Sequence, residues 1–511
     1  MTIMKKILYS LTLASMLLTA GCKKSFLDIN TNPNSATETN IDASLILPYA
    51  MHATASRMGT SYGWAGNWVG FWSPSGTYAP DVVESTYNLT TAFQSGQWTG
   101  WYDILNDLVA AEKKAKAAGQ DFYEGIAVLM AVPGWMALVD MYNNIPYSEA
   151  FDLSNKITPK YDKGQDIYND LFTRIGYAID KIKNADIAKV PTVGVTDIMF
   201  NGDKTMWAKF GNTLRLKLLI HQSQIPGFSA TAGISAITAE GSGFLGAGQS
   251  AKVMPSGGYL VTPGKLNPFW NAYKSDAAGV ATNDYYRANN YVLNLMKNNS
   301  DERYKRIFSP ATSNGSYTGT TYGDPPATPT NSSNTSNVSG PGLAVTATQA
   351  QWVLTSFESL FLQAEAIIRG WLPGNQQTAY EAAVRESFIY LAVPSATSTA
   401  NTYLAQLNLS GNPNTVTNWA SVAAGTTTQK VAFVALQKYI AMTGTNNLEA
   451  WTDYRRLNVP ANVPISTNTA RISNILPIRL LYSQTEYSYN QANVVLEGTI
   501  NQFTSSVFWD K

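Results

Sequence analysis

The sequence predicts a mainly α-helical protein, a tetratricopeptide-like scaffold of helix pairs beside an irregular, loop-rich half. Three observations predict it. Apolar residues recur at helical spacing through most of the chain. The helical stretches are long and follow one another closely, as antiparallel pairs do. Between residues 223 and 350 the helical signal thins, and residues 309–345 form a Ser/Thr/Asn/Gly/Pro tract. The roughly 34-residue tetratricopeptide consensus is not legible, so the pairing rests on length and succession alone.

Residues 44–72 are the first expected helix, followed by residues 98–118, where Trp101, Leu105, Leu108 and Ala111 share a stripe. A third covers residues 122–142, where Pro133 implies a kink or break. Residues 165–183 carry Ile167, Leu171, Ile175 and Ile179 on one face, and residues 205–221 are strongly amphipathic. Helices over 351–370 and 376–391 have Gly370 and Pro394 as stops, and a last long one runs over 429–457. The tract at 309–345 reads as a long surface loop that packs no core.

The N-terminus reads as an export signal. Lys5 and Lys6 precede an apolar stretch from Ile7 to Ala20, shorter than the roughly 20 residues a spanning helix needs. Cys22, the only cysteine among 511 residues, directly follows Ala20-Gly21 and reads as a lipobox cysteine. Cleavage before it and acylation on it would anchor a soluble body to a membrane, which takes two or more acyl chains. The expected organisation is therefore a signal over 1–21, a lipidated tether over 22–43 and a single helical domain over 44–511. Without Lys5 and Lys6 the chain carries 34 basic against 35 acidic side chains, with no basic block to suggest nucleic acid or a polybasic membrane surface. A single cysteine rules out an internal disulfide and Cys-rich zinc sites. Only 14% of residues are charged while aromatics reach 12%, a composition suited to neutral, hydroxyl-rich ligands.

Catalytic and cofactor motifs are wanting. Gly241-Ser242-Gly243-Phe244-Leu245-Gly246 matches G-x-G-x-x-G, but Ala247-Gly248-Gln249 and Pro255 follow it where a dinucleotide fold needs a helix. His52 and His221 are the only histidines and read as packing residues rather than ligands. No G-x-S-x-G turn or calcium-loop pattern appears. A facing carboxylate pair remains compatible with the sequence and finds no positive support in it. No cofactor, metal site or catalytic residue is expected.

Spread over the chain are Phe26-Leu27-Asp28-Ile29-Asn30-Thr31-Asn32-Pro33-Asn34, Ile145-Pro146-Tyr147-Ser148-Glu149-Ala150, Asn212-Thr213-Leu214-Arg215-Leu216-Lys217 and Asn267-Pro268-Phe269-Trp270. Glu358-Ser359-Leu360-Phe361-Leu362-Gln363-Ala364-Glu365-Ala366, Glu449-Ala450-Trp451-Thr452-Asp453-Tyr454-Arg455-Arg456 and Ser483-Gln484-Thr485-Glu486-Tyr487 follow. In this order and spacing the chain resembles the SusD/RagB superfamily of Bacteroidetes outer-membrane lipoproteins, most closely its SusD-like 2 branch. The resemblance implies a surface-exposed, lipid-anchored, non-enzymatic protein. It would capture oligosaccharides for a SusC-like TonB-dependent barrel, or peptides as in the RagB case. A surface glycosidase is a more distant alternative.

Most of these motif residues read as architecture. Trp451 and Arg455 stand four apart, so a guanidinium can lie over an indole; Glu365 and Arg369 make an i,i+4 pair; Tyr454 and Arg456 could brace the segment around Glu486. Ligand capture needs aromatic faces on loops, where a ring stacks on the apolar face of a sugar and amides satisfy its hydroxyls. Trp64, Trp68 and Trp72 recur at core spacing, but Trp72 stands where Ser73-Pro74-Ser75-Gly76 ends the helix, and Tyr78 follows. A second cluster holds Trp270 and Tyr285, although the Trp270 pattern also suits packing. Trp72, Tyr78, Trp270 and Tyr285 are the expected ligand-binding residues.

Overall fold

Local signals set most of the helices. In the computed structural model, which describes residues 41–152, 154–406 and 417–510, α1 (Ala43–Thr60) leads into a short α2 (Gly63–Trp68). Cys22 and residues 26–34 lie outside the described residues. The single helix expected over 44–72 is thus divided. The reason is tertiary: a Cβ on Gly63 would sit 2.4 Å from the Tyr286 hydroxyl, and one on Gly66 would sit 2.6 Å from Asn447 Nδ2. The backbone of α2 is pressed against its neighbours and turns to meet them. Strand β1 (Trp72–Pro74) and α3 (Val82–Thr86) follow.

The scaffold comes next. Helices α4 (Ser95–Ala117), α5 (Asp121–Tyr142), α6 (Gly164–Asn184) and α7 (Lys204–His221) pack each against the next, with the β2 (Ile145–Pro146) and β3 (Tyr161–Asp162) pair between α5 and α6. Three residues join α4 to α5, which forces them antiparallel. Helix α5 runs through Pro133 unbroken. It is long and apolar enough to cross a bilayer, yet nearly all of it is buried by neighbouring helices. Asp203 caps α7, its side chain accepting from the Thr205 and Met206 amides.

The remaining half is short-element and irregular. It holds β4 (Ala251–Val253), α8 (Pro268–Tyr273), β5 (Tyr286–Ala288) and α9 (Asn290–Asn298). Residues 241–246 are loop, so the glycine pattern opens no helix. Residues 351–354, expected as helix, form β6 (Gln351–Leu354), antiparallel to β4. Helices α10 (Ser356–Ile368), α11 (Gln376–Tyr390), α12 (Thr427–Met442) and α13 (Asn447–Leu457) return to the paired pattern. The helix expected over 429–457 breaks between α12 and α13. There Trp352 Nε1 donates to the Thr445 carbonyl and the Asn446 side chain caps α13.

The family motifs meet in a buried charge network. Glu449 on α13 accepts from Lys217 Nζ at 2.7 Å and Lys438 Nζ at 2.6 Å, and lies 3.2 Å from His221 Nε2. Lys217 also reaches Glu358 at 2.8 Å, and Lys438 reaches Asp453 at 2.8 Å. Arg456 bonds Glu365 through both terminal nitrogens, at 2.6 and 2.8 Å. Burial alone would raise the Glu365 carboxyl, but Arg456 and Arg369 outweigh it and bring it down to about 2. The Arg455 guanidinium lies 3.5 Å over Trp451 and 4.7 Å from the Trp509 ring, clamping the C-terminal segment. Arg456 does not brace Glu486; that carboxylate accepts from Tyr161 Oη at 2.8 Å.

The tract at 309–345 corrects the sequence expectation. It buries Ala311, Tyr322, Val338, Leu343 and Ala344. Its backbone is hydrogen-bonded at Ala288, Ile307 and Gly76, which ties the tract to the rest of the fold while stretches such as 324–329 stay exposed.

Candidate functional site

The site grows from the edge of the β1–β5 pair. Register sets Trp72 opposite Ala288, Ser73 opposite Arg287 and Pro74 opposite Tyr286. Beyond the strand, the Ser75 amide donates to the Tyr285 carbonyl at 2.7 Å and Ser75 Oγ to the Asp284 carbonyl at 2.7 Å. These bonds bring the 75–81 loop beside residues 284–285. Tyr78 and Tyr285 then face each other with ring centroids 6.0 Å apart. Tyr78, 41% exposed, donates its phenol to Asp284 Oδ2 at 2.6 Å. The half-buried Tyr285 packs edge-on to Tyr286, and its Oη accepts from the Asp81 amide at 3.4 Å.

A cleft of about 480 Å³ opens at the residues just before Tyr78, lined by Gly76 and Thr77 on one side and by Thr328, Asn331 and other residues of the 326–333 segment on the other. The Gly76 amide donates to the Thr330 carbonyl at 2.7 Å, and the Ala327 amide donates to the Gly76 carbonyl at 3.0 Å. A Cβ on Gly76 would lie 2.2 Å from Thr330 Oγ1 and 2.5 Å from the Ala327 carbonyl. Glycine is required here by close approach of two chains. The Ser332 amide closes the wall on Thr77 Oγ1 at 2.9 Å.

Charges near the rings are restrained. The bond to Asp284 pushes the Tyr78 phenol up, and burial pushes that of Tyr285 up to about 12, so both remain neutral donors at physiological pH. Arg287 is buried and brought down to about 10, still cationic, donating to the Asn283 and Tyr286 carbonyls. On α3 itself, burial pushes Glu84 up to about 7 against the pull of its bonds from Asn67 and Tyr322.

Of the four sequence candidates, only Tyr78 and Tyr285 come together. Trp72 is 1% exposed, wedged between Tyr273 at 5.1 Å and Tyr286 at 5.3 Å, and is a core residue; its strand pairs into the interior instead of ending at the surface. Trp64 and Trp68 are likewise core, packed edge-on to Trp451. Trp270 is half-buried, with the Lys274 ammonium 4.4 Å over its ring and Nε1 donating to Ser275 Oγ at 3.1 Å. Among the described residues it makes no ring contact with Tyr78 or Tyr285. Asp284 is not marked out beside Tyr285 in the sequence because only the fold brings Tyr78 to it. Thr328 and Asn331 are not singled out because their cleft wall lies in the 309–345 tract, read as plain loop. The closely spaced amides and hydroxyls there were the available signal.

Comparison with known proteins bears on the fold and the family. The family model described as starch-binding and associating with the outer membrane matches residues 33–483. No curated protein matches the chain. A chitin-binding SusD homologue from Flavobacterium johnsoniae superposes with a TM-score of 0.75 at 22% identity, covering 92% of this chain and 98% of that one. A SusD homologue from Bacteroides fragilis superposes with a TM-score of 0.72 at 20% identity, covering 92% and 100%. One from Bacteroides vulgatus reaches 0.72 at 20% identity, covering 91% and 97%. At these identities the neighbours establish the fold, and the family match over most of the length establishes membership. The chain belongs to the SusD-like 2 branch of the SusD/RagB family, a family described as starch-binding and associating with the outer membrane.

Proposed function

We propose that this protein is a lipid-anchored, surface-exposed receptor that captures neutral oligosaccharides at Tyr78 and Tyr285 and passes them, uncut, to a SusC-like TonB-dependent barrel. One observation carries the reading: two phenol rings pair at the 75–81 loop, and the residues just before Tyr78, Gly76 and Thr77, line a cleft walled by hydroxyls, an amide and backbone groups. A sugar ring needs an apolar face to stack on and neutral groups to satisfy its rim, and both are adjacent here. The starch-binding description of the family and the chitin-binding neighbour support the ligand class. The anchor would be acyl chains on Cys22.

Calorimetry with maltohexaose and chitohexaose tests it. Binding of either, weakened about tenfold by Tyr78→Ala or Tyr285→Ala with folding intact, is the expected result; tenfold corresponds to about 1.4 kcal/mol, near the worth of one ring contact. Binding of peptides and no glycan would replace this reading with a RagB-like receptor. Release of reducing sugar by the purified protein would replace it with a glycosidase. Palmitate labelling abolished by Cys22→Ser, and co-purification of a barrel, test the anchor and the partner.

A further inference from the structure

A second cleft of about 370 Å³ opens beside α9, and none of the residues lining it carries a charge. Asn290, Asn294 and Asn298 project along one edge of the helix, a turn apart, so three amides stand in a row. Asn462 and Thr321 approach from separate segments. A single aromatic, Tyr291, completes the wall. Its Oη donates to Asn462 Oδ1 at 2.8 Å and its ring sits edge-on to Tyr439, so the ring is held in place. Asn289 serves the framework: its side chain caps α9 and donates to the Trp72 carbonyl at 3.2 Å.

The asparagine row is not explained by helix stability. Asparagine is among the poorer helix formers, and Asn294 stands exposed in the middle of α9. A solvated helix face would ordinarily carry Lys, Glu or Ala. Amides offer two donors and an acceptor without charge, which suits a ligand presenting hydroxyls in pairs. The cleft begins roughly 13 Å from Tyr285, four extended residues further along the β5 segment. The tract at 309–345 borders both places, through Thr328 and Asn331 at the first and Thr321 at the second. One extended ligand could reach both.

We propose that the asparagine-lined cleft is a second subsite for a neutral, hydroxyl-rich chain molecule, gripping a long glycan whose other end lies on the Tyr78–Tyr285 pair. The inference rests on the glycan-binding reading above. Its test is calorimetry on the full chain with maltohexaose, chitohexaose and the matching disaccharides, comparing the native protein with the Asn294→Ala/Asn298→Ala double variant and with Tyr78→Ala. The double variant should bind the hexasaccharide about tenfold more weakly, from the loss of two or more hydrogen bonds, and the disaccharide unchanged. Its Tm should be unchanged or about 1 °C higher, because alanine favours the helix. Unchanged hexasaccharide binding in the double variant, with Tyr78→Ala still weakening it, overturns the second subsite alone. Equal weakening of disaccharide and hexasaccharide overturns it too, since one compact site then holds both. Weaker binding accompanied by a lower Tm marks a structural role and also overturns it. Failure of the native protein to bind either hexasaccharide overturns the glycan reading and this subsite with it.

Discussion

Glu84 offers a direct test of how the ground beneath the rings is built. Its Oε1 accepts from Asn67 Nδ2 at 2.7 Å and from Tyr322 Oη at 3.1 Å, and among the described residues no cation pairs with it. Burial therefore dominates and lifts the carboxyl from 4.5 to about 7. The folded protein holds this proton more tightly than the unfolded chain. The group's contribution to stability is thus fully present below pH 4.5, declines as pH rises, and is lost above about 7. Between pH 5 and pH 8 the decline amounts to about 2 to 3 kcal/mol, from about 1.36 kcal/mol per pH unit over which the two states differ by one proton. Glu84→Gln keeps an oxygen to accept both bonds and removes the charge. Urea denaturation of the native protein and the variant at both pH values is the assay, because other titrating groups cancel in the difference. The variant should gain about 2 to 3 kcal/mol relative to the native protein on going from pH 5 to pH 8. An identical difference at the two pH values would refute the reasoning and mean that the carboxylate is solvated or paired. The consequence reaches the site, since Asp81, the cap of α3, accepts from the Glu84 amide and its own amide donates to Tyr285 Oη.

Gly76→Ala should displace the 326–333 segment, because the added methyl has no room beside Thr330 and Ala327. Hexasaccharide affinity should fall with only about 1 to 3 kcal/mol lost in stability, and unchanged binding would mean that the cleft wall plays no part. Glu449→Gln removes the counter-charge shared by Lys217, Lys438 and His221, and should cost about 3 to 5 kcal/mol in urea denaturation. Lys305→Ala, which breaks a surface pair with Glu302, should cost no more than about 1 kcal/mol and serves as the control.

Helices declared themselves where the deciding contacts were local. The Ile167, Leu171, Ile175 and Ile179 stripe is buried on α6, and Asp203 caps α7 where the amphipathic pattern begins. Gly370 adopts a positive φ of 74° just past α10, as its expected role as a stop requires. Arg455 finds Trp451 four residues back on the same face. Expectations failed where the partner was distant. Residues 351–354 pair with β4 about a hundred residues earlier, and the long C-terminal helix yields at Thr445 to the indole of Trp352. Neither partner leaves a mark in the local pattern.

The sequence by itself determined the helical class, the core positions of Trp64 and Trp68 and the family, because periodicity and motif order are properties of the chain. Only the tertiary structure decided which aromatics reach solvent. Trp72 and Tyr78 stand six residues apart and differ in burial because β1 pairs with β5 and carries one inward, while the 75–81 loop turns the other out beside Asp284. The cleft next to them exists because two chain segments more than two hundred residues apart in sequence meet at a glycine. Pairings of that range cost loop-closure entropy and depend on the whole fold, so no local run of residues announces them.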